Sequence, residues 1–262
     1  MIPAPQEQKP TLIYVFDGLC SYCYGFDTQL LLIMQELNNE VRLKIISGGM
    51  NIGSDMPGIK EKLGETFRDD YRQVVQITGA NISEKYLAGT VDSDNYIVNS
   101  EIPARAFSAF KTIEKNAEKH LEFVFTMQKN LYRLDSEITA SAFSTFKTYP
   151  NFKGNEINFI TQFQYNMYHE GLNPNEDEIY LKTADHFGIA GEEFLQKMKM
   201  PEITEDVLKD FDYTQALQVT GFPHVFLKTP EEQYYLLARG YDKEENIAAR
   251  INNIEKELKR KE

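Results

Sequence analysis

The sequence predicts an α/β fold in which one sheet is built from two ends of the chain, with a large all-helical insertion between them. Three observations predict it. An apolar run, Leu12 to Phe16, is followed at once by a helical pattern and then by an alternating run, Val41 to Ile46. Strand-like runs return only near the far end, at Val225 to Leu227 and Tyr234 to Ala238, before a last amphipathic helix. Roughly 150 residues of helical periodicity lie between these ends. The order is therefore β-α-β, a helical block, then β-β-α.

Each element has a local reason. The first helix carries Leu30, Leu31, Met34 and Leu37 at spacings of three and four. In the second strand Val41, Leu43 and Ile45 alternate with Arg42 and Lys44, and Gly48-Gly49-Met50 ends it in a turn. Within the block, Pro57 to Thr78 reads as one helix, and Pro103 to Lys119, with Pro in its first turn, as another. Further helices are expected over His120 to Arg133, Ile138 to Phe146, Glu156 to Glu170, Glu176 to Phe187, Glu192 to Lys199 and Glu205 to Val219. Gly171 and Gly188 suit helix ends. The last two strands should form a hairpin around Thr229 to Gln233, and the first two should be parallel across their crossover helix. The final helix is expected from Asp242, with Glu245 completing a capping box and Ile247, Ile251, Ile254 and Leu258 on its buried face. The expected division is residues 11–56 with 219–262 as the sheet domain, 57–218 as the insertion, and 1–10 as a loose tail rich in proline.

Cys20 and Cys23 are the only cysteines, and they fall where the first strand has ended and its helix begins. A helix N-terminus offers unpaired N–H groups and the positive end of the dipole to a thiolate, and a residue three positions on shares its face. Cys20 is thus the expected nucleophile and Cys23 the resolving thiol of a redox-active pair. Half of a zinc site is an alternative, but there is no second cysteine pair and the four histidines are scattered. A structural disulfide is another, although closing so short a loop gains little from the unfolded state. No metal and no cofactor are expected.

The second part of the expected site is Val219-Thr220-Gly221-Phe222-Pro223-His224, just before the third strand. Either Phe222–Pro223 is cis, presenting the Phe222 backbone to an extended peptide, or Pro223 is an ordinary trans proline ending the preceding helix. Ser21, Tyr22, Phe222, Pro223 and His224 are the candidate substrate-binding residues. His224 has two readings, help for the thiolate or a solvated histidine.

The charge of −12, from 28 basic and 40 acidic side chains, argues against nucleic acid or an anionic membrane as partner. With 42% hydrophobic residues a large core is affordable, yet no window approaches a membrane span. The first ten residues lack the form of a signal peptide, so a cytoplasmic location is expected, or a periplasmic one if a leader has been removed. Expected partners are disulfide- or thiol-containing protein substrates and a redox partner, and the chain is expected to be a monomer.

Phe-Asp-x-x-Cys-x-x-Cys-Tyr-Gly-Phe at residues 16–26, with Gly221-Phe222-Pro223, resembles the DsbA-like branch of the thioredoxin superfamily, closest to FrnE-type proteins and protein-disulfide isomerases. Gly48 to Gly53, Asn99 to Ala106 and Gln128 to Tyr132 fit the same branch. The resemblance implies a thioredoxin fold with a helical insertion, a cis Pro223 and thiol–disulfide exchange. Two departures stand out. Tyr22 occupies the place where this group often has Trp, and the His found between the cysteines of the strongly oxidising relatives is absent. A neutral phenol supplies no positive charge, which predicts a less oxidising couple. Kappa-class glutathione transferases and hydroxychromene-carboxylate isomerases share the insertion but usually have Ser at the first cysteine. A non-enzymatic adaptor on the same fold is the third alternative.

Overall fold

A computed structural model describes residues 9–37, 40–54, 56–64, 66–116 and 154–260. Strand β1 (Thr11–Phe16) is buried along its whole length, as its uninterrupted apolar sequence requires for a strand covered on both faces. It pairs in parallel with β2 (Arg42–Ser47) across helix α1 (Ser21–Leu37). On its other side it pairs antiparallel with β3 (His224–Lys228), which pairs antiparallel with β4 (Tyr234–Arg239). The order is β2-β1-β3-β4. The two chain ends thus meet at the β1–β3 seam, with Tyr14 opposite Val225 and Val15 opposite His224. The hairpin closes through Thr229 N–H donating to the Gln233 carbonyl at 2.9 Å.

Between the two halves run α2 (Ile59–Leu63), α3 (Phe67–Thr78), a π-helical turn at Lys85–Thr90, and α4 (Glu101–Asn116). They are followed by α5 (Gly154–Tyr168), α6 (Asp177–His186), α7 (Gly191–Met198) and α8 (Pro201–Ala216). The last element is α9 (Glu244–Leu258). The helices expected over His120 to Arg133 and Ile138 to Phe146 lie outside the described residues.

Two expectations are corrected. The single helix over Pro57 to Thr78 is two helices, because Gly64 adopts φ +67 between them, a conformation that ends a helix. The capping box at Asp242 does not form. Helix α9 is preceded by Lys243 with no side-chain cap, and Asp242 instead accepts hydrogen bonds from Lys243 N–H at 2.9 Å and Asn246 Nδ2 at 2.7 Å. Gly171 and Gly188 do sit at helix ends with left-handed φ of 73° and 65°.

The alternation of β1 divides the core. Leu12, Tyr14 and Phe16 face a large cluster that includes Cys23, Phe26 and Leu30 of α1, Phe159 and Tyr168 of α5, and Ile247 and Ile251 of α9. Ile13 and Val15 face the opposite side with Ile46 and Phe226, covered by Tyr213, Leu217 and Val219. Helix α8, the last of the expected 57–218 insertion, therefore lies on the sheet itself. The other insertion helices that join the large cluster, α4 to α7 among them, share one apolar interior with β1 and α1. Helix α1 passes α3 closely at Gly25, where a Cβ would come within 2.3 Å of Thr78 Cβ.

Candidate active site

Strand β1 ends at Phe16, and Asp17-Gly18-Leu19 makes the turn into α1. Cys20 N–H donates to the Asp17 carbonyl at 3.1 Å, and the Cys20 carbonyl accepts from Cys23 N–H at 3.0 Å. This turn holds Cys20 immediately before the first helical residue and Cys23 inside the first turn. Both thiols are free. Cys20 retains 9% of its surface, whereas Cys23 is completely enclosed. The Cys23 thiol is pushed well above its ordinary range, first by burial and then by its hydrogen bond to Cys20 and the nearby Cys20 charge. The pair is chemically asymmetric, with one cysteine keeping slight exposure and the other fully enclosed and held as a thiol.

Phe222–Pro223 is cis. The Cys20 thiol donates to the Phe222 carbonyl at 3.5 Å, so the segment expected to face the dithiol does so. The Phe222 ring covers Gly48, leaving no room for a side chain there: a Cβ would stand 1.8 Å from Phe222 Cε1. The Pro223 carbonyl is fixed by Gly240 N–H at 2.7 Å. Ser21 and Tyr22 lie half-buried on the first turn of α1 beside the sulfurs.

His224 is not brought to the sulfur. Directly opposed residues of an antiparallel pair share a face, and His224 is opposite Val15, on the side away from Tyr14 and Cys23. It is 2% exposed, stacks on Phe226 at 5.9 Å, and burial lowers its pKa, favouring a neutral ring. Neither the thiolate-assisting reading nor the solvated one describes it.

Three residues of α5 and one of the turn complete the site, and sequence reasoning missed all four. Gln164 Nε2 lies within 3.3–3.4 Å of the carbonyls of Asp17, Gly18 and Cys20. Tyr168, one turn later, donates to the Leu19 carbonyl at 2.7 Å. One face of α5 thus clasps the dithiol turn through its backbone carbonyls. Thr161, on the preceding turn, donates to Asp27 Oδ2 at 2.8 Å. Asp17 joins the loops: its carboxylate accepts from Leu19 N–H at 2.9 Å and Met50 N–H at 2.6 Å, and from the Ser100 side chain. Gly48 to Asn51 and the start of α4 are thereby tied to the dithiol turn. Among the described residues no group of three or more His, Cys, Asp or Glu could hold a metal ion.

The pKa of Asp27 is pushed well above the carboxylate range by burial, the Thr161 hydrogen bond opposing this in part, and Asp17 is raised for the same primary reason. A raised carboxyl pKa means the folded state binds the proton more tightly than the unfolded chain. The Asp27 contribution to stability is therefore fully present below the unfolded value of about 3.9, and is lost as pH rises through the folded pKa. Asp27→Asn should remove that part of the decline, so denaturant unfolding of the variant should fall less steeply between pH 4 and 8 than that of the parent. Parallel pH profiles would show that Asp27 is not titrating in the fold.

A family profile described as the DSBA-like thioredoxin domain matches residues 66–252. The chain belongs to that DsbA-like family. The match begins after the dithiol and covers the helical block, the Phe222–Pro223 segment and β3–β4. The fold comparison adds the remaining part. A candidate protein disulfide isomerase from Nitrosomonas europaea superposes with a TM-score of 0.69 at 18% identity, over 95% of this chain and 98% of its own. The cytosolic disulfide reductase DsbM from Pseudomonas aeruginosa superposes with a TM-score of 0.62 at 17% identity, over 94% and 98%. At these identities they are similar in fold. Comparison with curated protein sequences finds no match. The DsbA-like fold accounts for the sheet order, the α1 entry turn and the placement of the 222–223 segment together. No helix among the described residues is long and apolar enough to cross a membrane.

Proposed function

We propose that this DsbA-like protein is a thiol–disulfide oxidoreductase that reduces disulfides of proteins or small molecules through Cys20 and Cys23. The observation that carries the reading is the asymmetric pair itself: Cys20, which keeps 9% of its surface, against the Phe222 carbonyl, and Cys23 fully enclosed behind it. The Cys20 thiolate attacks one sulfur of a substrate R–S–S–R′, forming the mixed disulfide and releasing R′–S⁻. Cys23 then gives up its proton and attacks Cys20 Sγ, closing the Cys20–Cys23 disulfide and releasing R–S⁻. Two electrons pass to substrate, and a thiol reductant of the cell restores the dithiol. Ser21, Tyr22 and the Phe222–Pro223 backbone flank the sulfur that substrate must approach, and are the proposed binding residues.

The reducing direction is supported by the absence of any cationic side chain between the cysteines. Nothing there favours the nucleophilic thiolate of the reduced form, whose stabilisation makes a couple strongly oxidising. The fold neighbour from Pseudomonas aeruginosa is described as a cytosolic disulfide reductase, and a cytoplasmic setting suits this reading.

The test is turnover of insulin disulfides together with the potential of the pair. The protein should reduce insulin with a monothiol donor, Cys20→Ser should not, and the potential should lie nearer the thioredoxin value of about −270 mV than the DsbA value of about −120 mV. A potential near the second value would reverse the direction. Partner binding indifferent to Cys20→Ser, without any turnover, would make the protein an adaptor.

A further inference from the structure

Four consecutive carbonyls, those of Asp17, Gly18, Leu19 and Cys20, carry the chain from β1 into α1, and one face of α5 meets all four. The two N–H bonds of the Gln164 amide are shared among the first, second and fourth, at 3.3–3.4 Å. The Tyr168 hydroxyl takes the third at 2.7 Å. The Asp17 carbonyl also accepts from Cys20 N–H, and the Cys20 carbonyl from Cys23 and Tyr24 N–H. Gln164 and Tyr168 are both fully enclosed, so their bonds form away from water, where a hydrogen bond is electrostatically stronger.

Holding the amide there has a cost. Gln164 Oε1 is enclosed with no hydrogen-bond partner among the described residues, and a stranded buried acceptor is unfavourable. The reverse orientation of the amide would be worse, because it would set Oε1 against three carbonyl oxygens. The gain lies at the other end of the same peptide units. A carbonyl that accepts a hydrogen bond polarises its peptide, and the N–H of that peptide becomes a stronger donor. The Cys20 carbonyl shares its peptide with the N–H of Ser21, the first residue of α1. That N–H has no acceptor within the helix and adjoins the nucleophile. Donors on the four carbonyls also offset the negative ends of dipoles that would otherwise surround a Cys20 thiolate.

We infer that Gln164 and Tyr168 are positioning residues that set the redox potential of the Cys20–Cys23 pair, by engaging the carbonyls of the entry turn and so favouring the thiolate of the reduced form. This rests on the oxidoreductase reading and adds what tunes it. Both side chains are enclosed, so neither meets substrate, and each acts through the backbone of the turn. The insertion thereby supplies help that the residues between the cysteines do not. A couple whose reduced form is favoured is the more oxidising one, so losing these donors should make the pair easier to oxidise.

The potential is read from the dithiol–disulfide ratio of the whole protein, equilibrated in glutathione buffers and blocked with an alkylating agent. Gln164→Leu removes the donors and keeps the space filled. Its equilibrium should move toward the disulfide by about threefold to tenfold, the range for one hydrogen bond, a tenfold change being about 30 mV. Tyr168→Phe should move it in the same direction by less, since it frees one carbonyl. Gln162→Leu is the control. It breaks the buried bond from Gln162 Nε2 to Asn166 Oδ1 at 2.9 Å, on another face of α5, and should lower stability while keeping the parental potential. A merely structural clasp would lower stability in all three variants and shift the potential in none. A parental or raised potential in Gln164→Leu, or a shift of the same size in Gln162→Leu, overturns the inference. If Gln164→Leu fails to fold, Tyr168→Phe decides alone, because its ring stays against Tyr24 and Tyr86, and a parental potential there overturns it. A parent protein whose cysteines do not interconvert between dithiol and disulfide overturns the oxidoreductase reading itself, whatever the variants do.

Discussion

Tyr168→Ala is expected to destabilise the protein by about 3–5 kcal/mol, the range for removing a buried aromatic side chain. Tyr168 is fully enclosed, stacks on Tyr24 at 5.3 Å, and meets Tyr86 edge-on at 4.9 Å. Its hydroxyl also holds the Leu19 carbonyl, one residue before the nucleophile. Two effects should therefore separate. Tyr168→Phe keeps the ring and loses only the hydrogen bond, worth about 0.5–1.5 kcal/mol with some further penalty for the stranded carbonyl. Tyr168→Ala should in addition leave a cavity under the dithiol turn. Denaturant midpoints of both variants check this. Near-parental stability of the alanine variant would mean that α5 does not clasp the turn as described.

Gly48→Ala is expected to impair the site from the opposite side. The new methyl would overlap the Phe222 ring, which cannot stay where it is with an atom 1.8 Å away. Overpacking of this kind costs about 1–3 kcal/mol. The consequence for chemistry is larger than the stability loss, because the Phe222 carbonyl is the hydrogen-bond partner of Cys20. Disulfide reduction should fall even where the variant is folded. Phe222→Leu in the same chain should restore part of both losses, a non-additivity expected only for groups in direct contact. Additive losses in the double variant would place Gly48 and Phe222 apart.

The fold was legible where the sequence repeats at a structural period. The alternation in Val41 to Ile45 gave β2, the apolar runs gave β1 and β3, and Thr229 to Gln233 gave the hairpin. The dithiol was legible because two lone cysteines fell at a strand-to-helix turn. Where one glycine interrupts a helical pattern, periodicity alone misleads: Gly64 ends α2, and the single helix from Pro57 becomes two. His224 was misplaced because nearness in sequence to Pro223 says nothing about which face of β3 it occupies.

The clasp from Gln164 and Tyr168 was not legible at all. These side chains meet the turn from more than 140 residues away, and a long-range hydrogen bond to a backbone carbonyl leaves no mark on local periodicity. Asp27 did leave a trace. It lies four residues after Cys23 and three before Leu30, a carboxylate on the apolar stripe of α1, and burial without a charge partner is unusual enough to mark such a residue.

The central claim, that Cys20 attacks and Cys23 resolves, is tested most directly by trapping. Each single variant, Cys23→Ser and Cys20→Ser, is exposed to a disulfide-containing protein substrate and run on a non-reducing gel after thiol blocking. Cys23→Ser should accumulate a covalent complex, because Cys20 reaches substrate and nothing releases it. Cys20→Ser should accumulate none, because Cys23 is sealed from solvent. Equal trapping by the two variants, or a complex formed through Cys23 alone, would contradict the assignment.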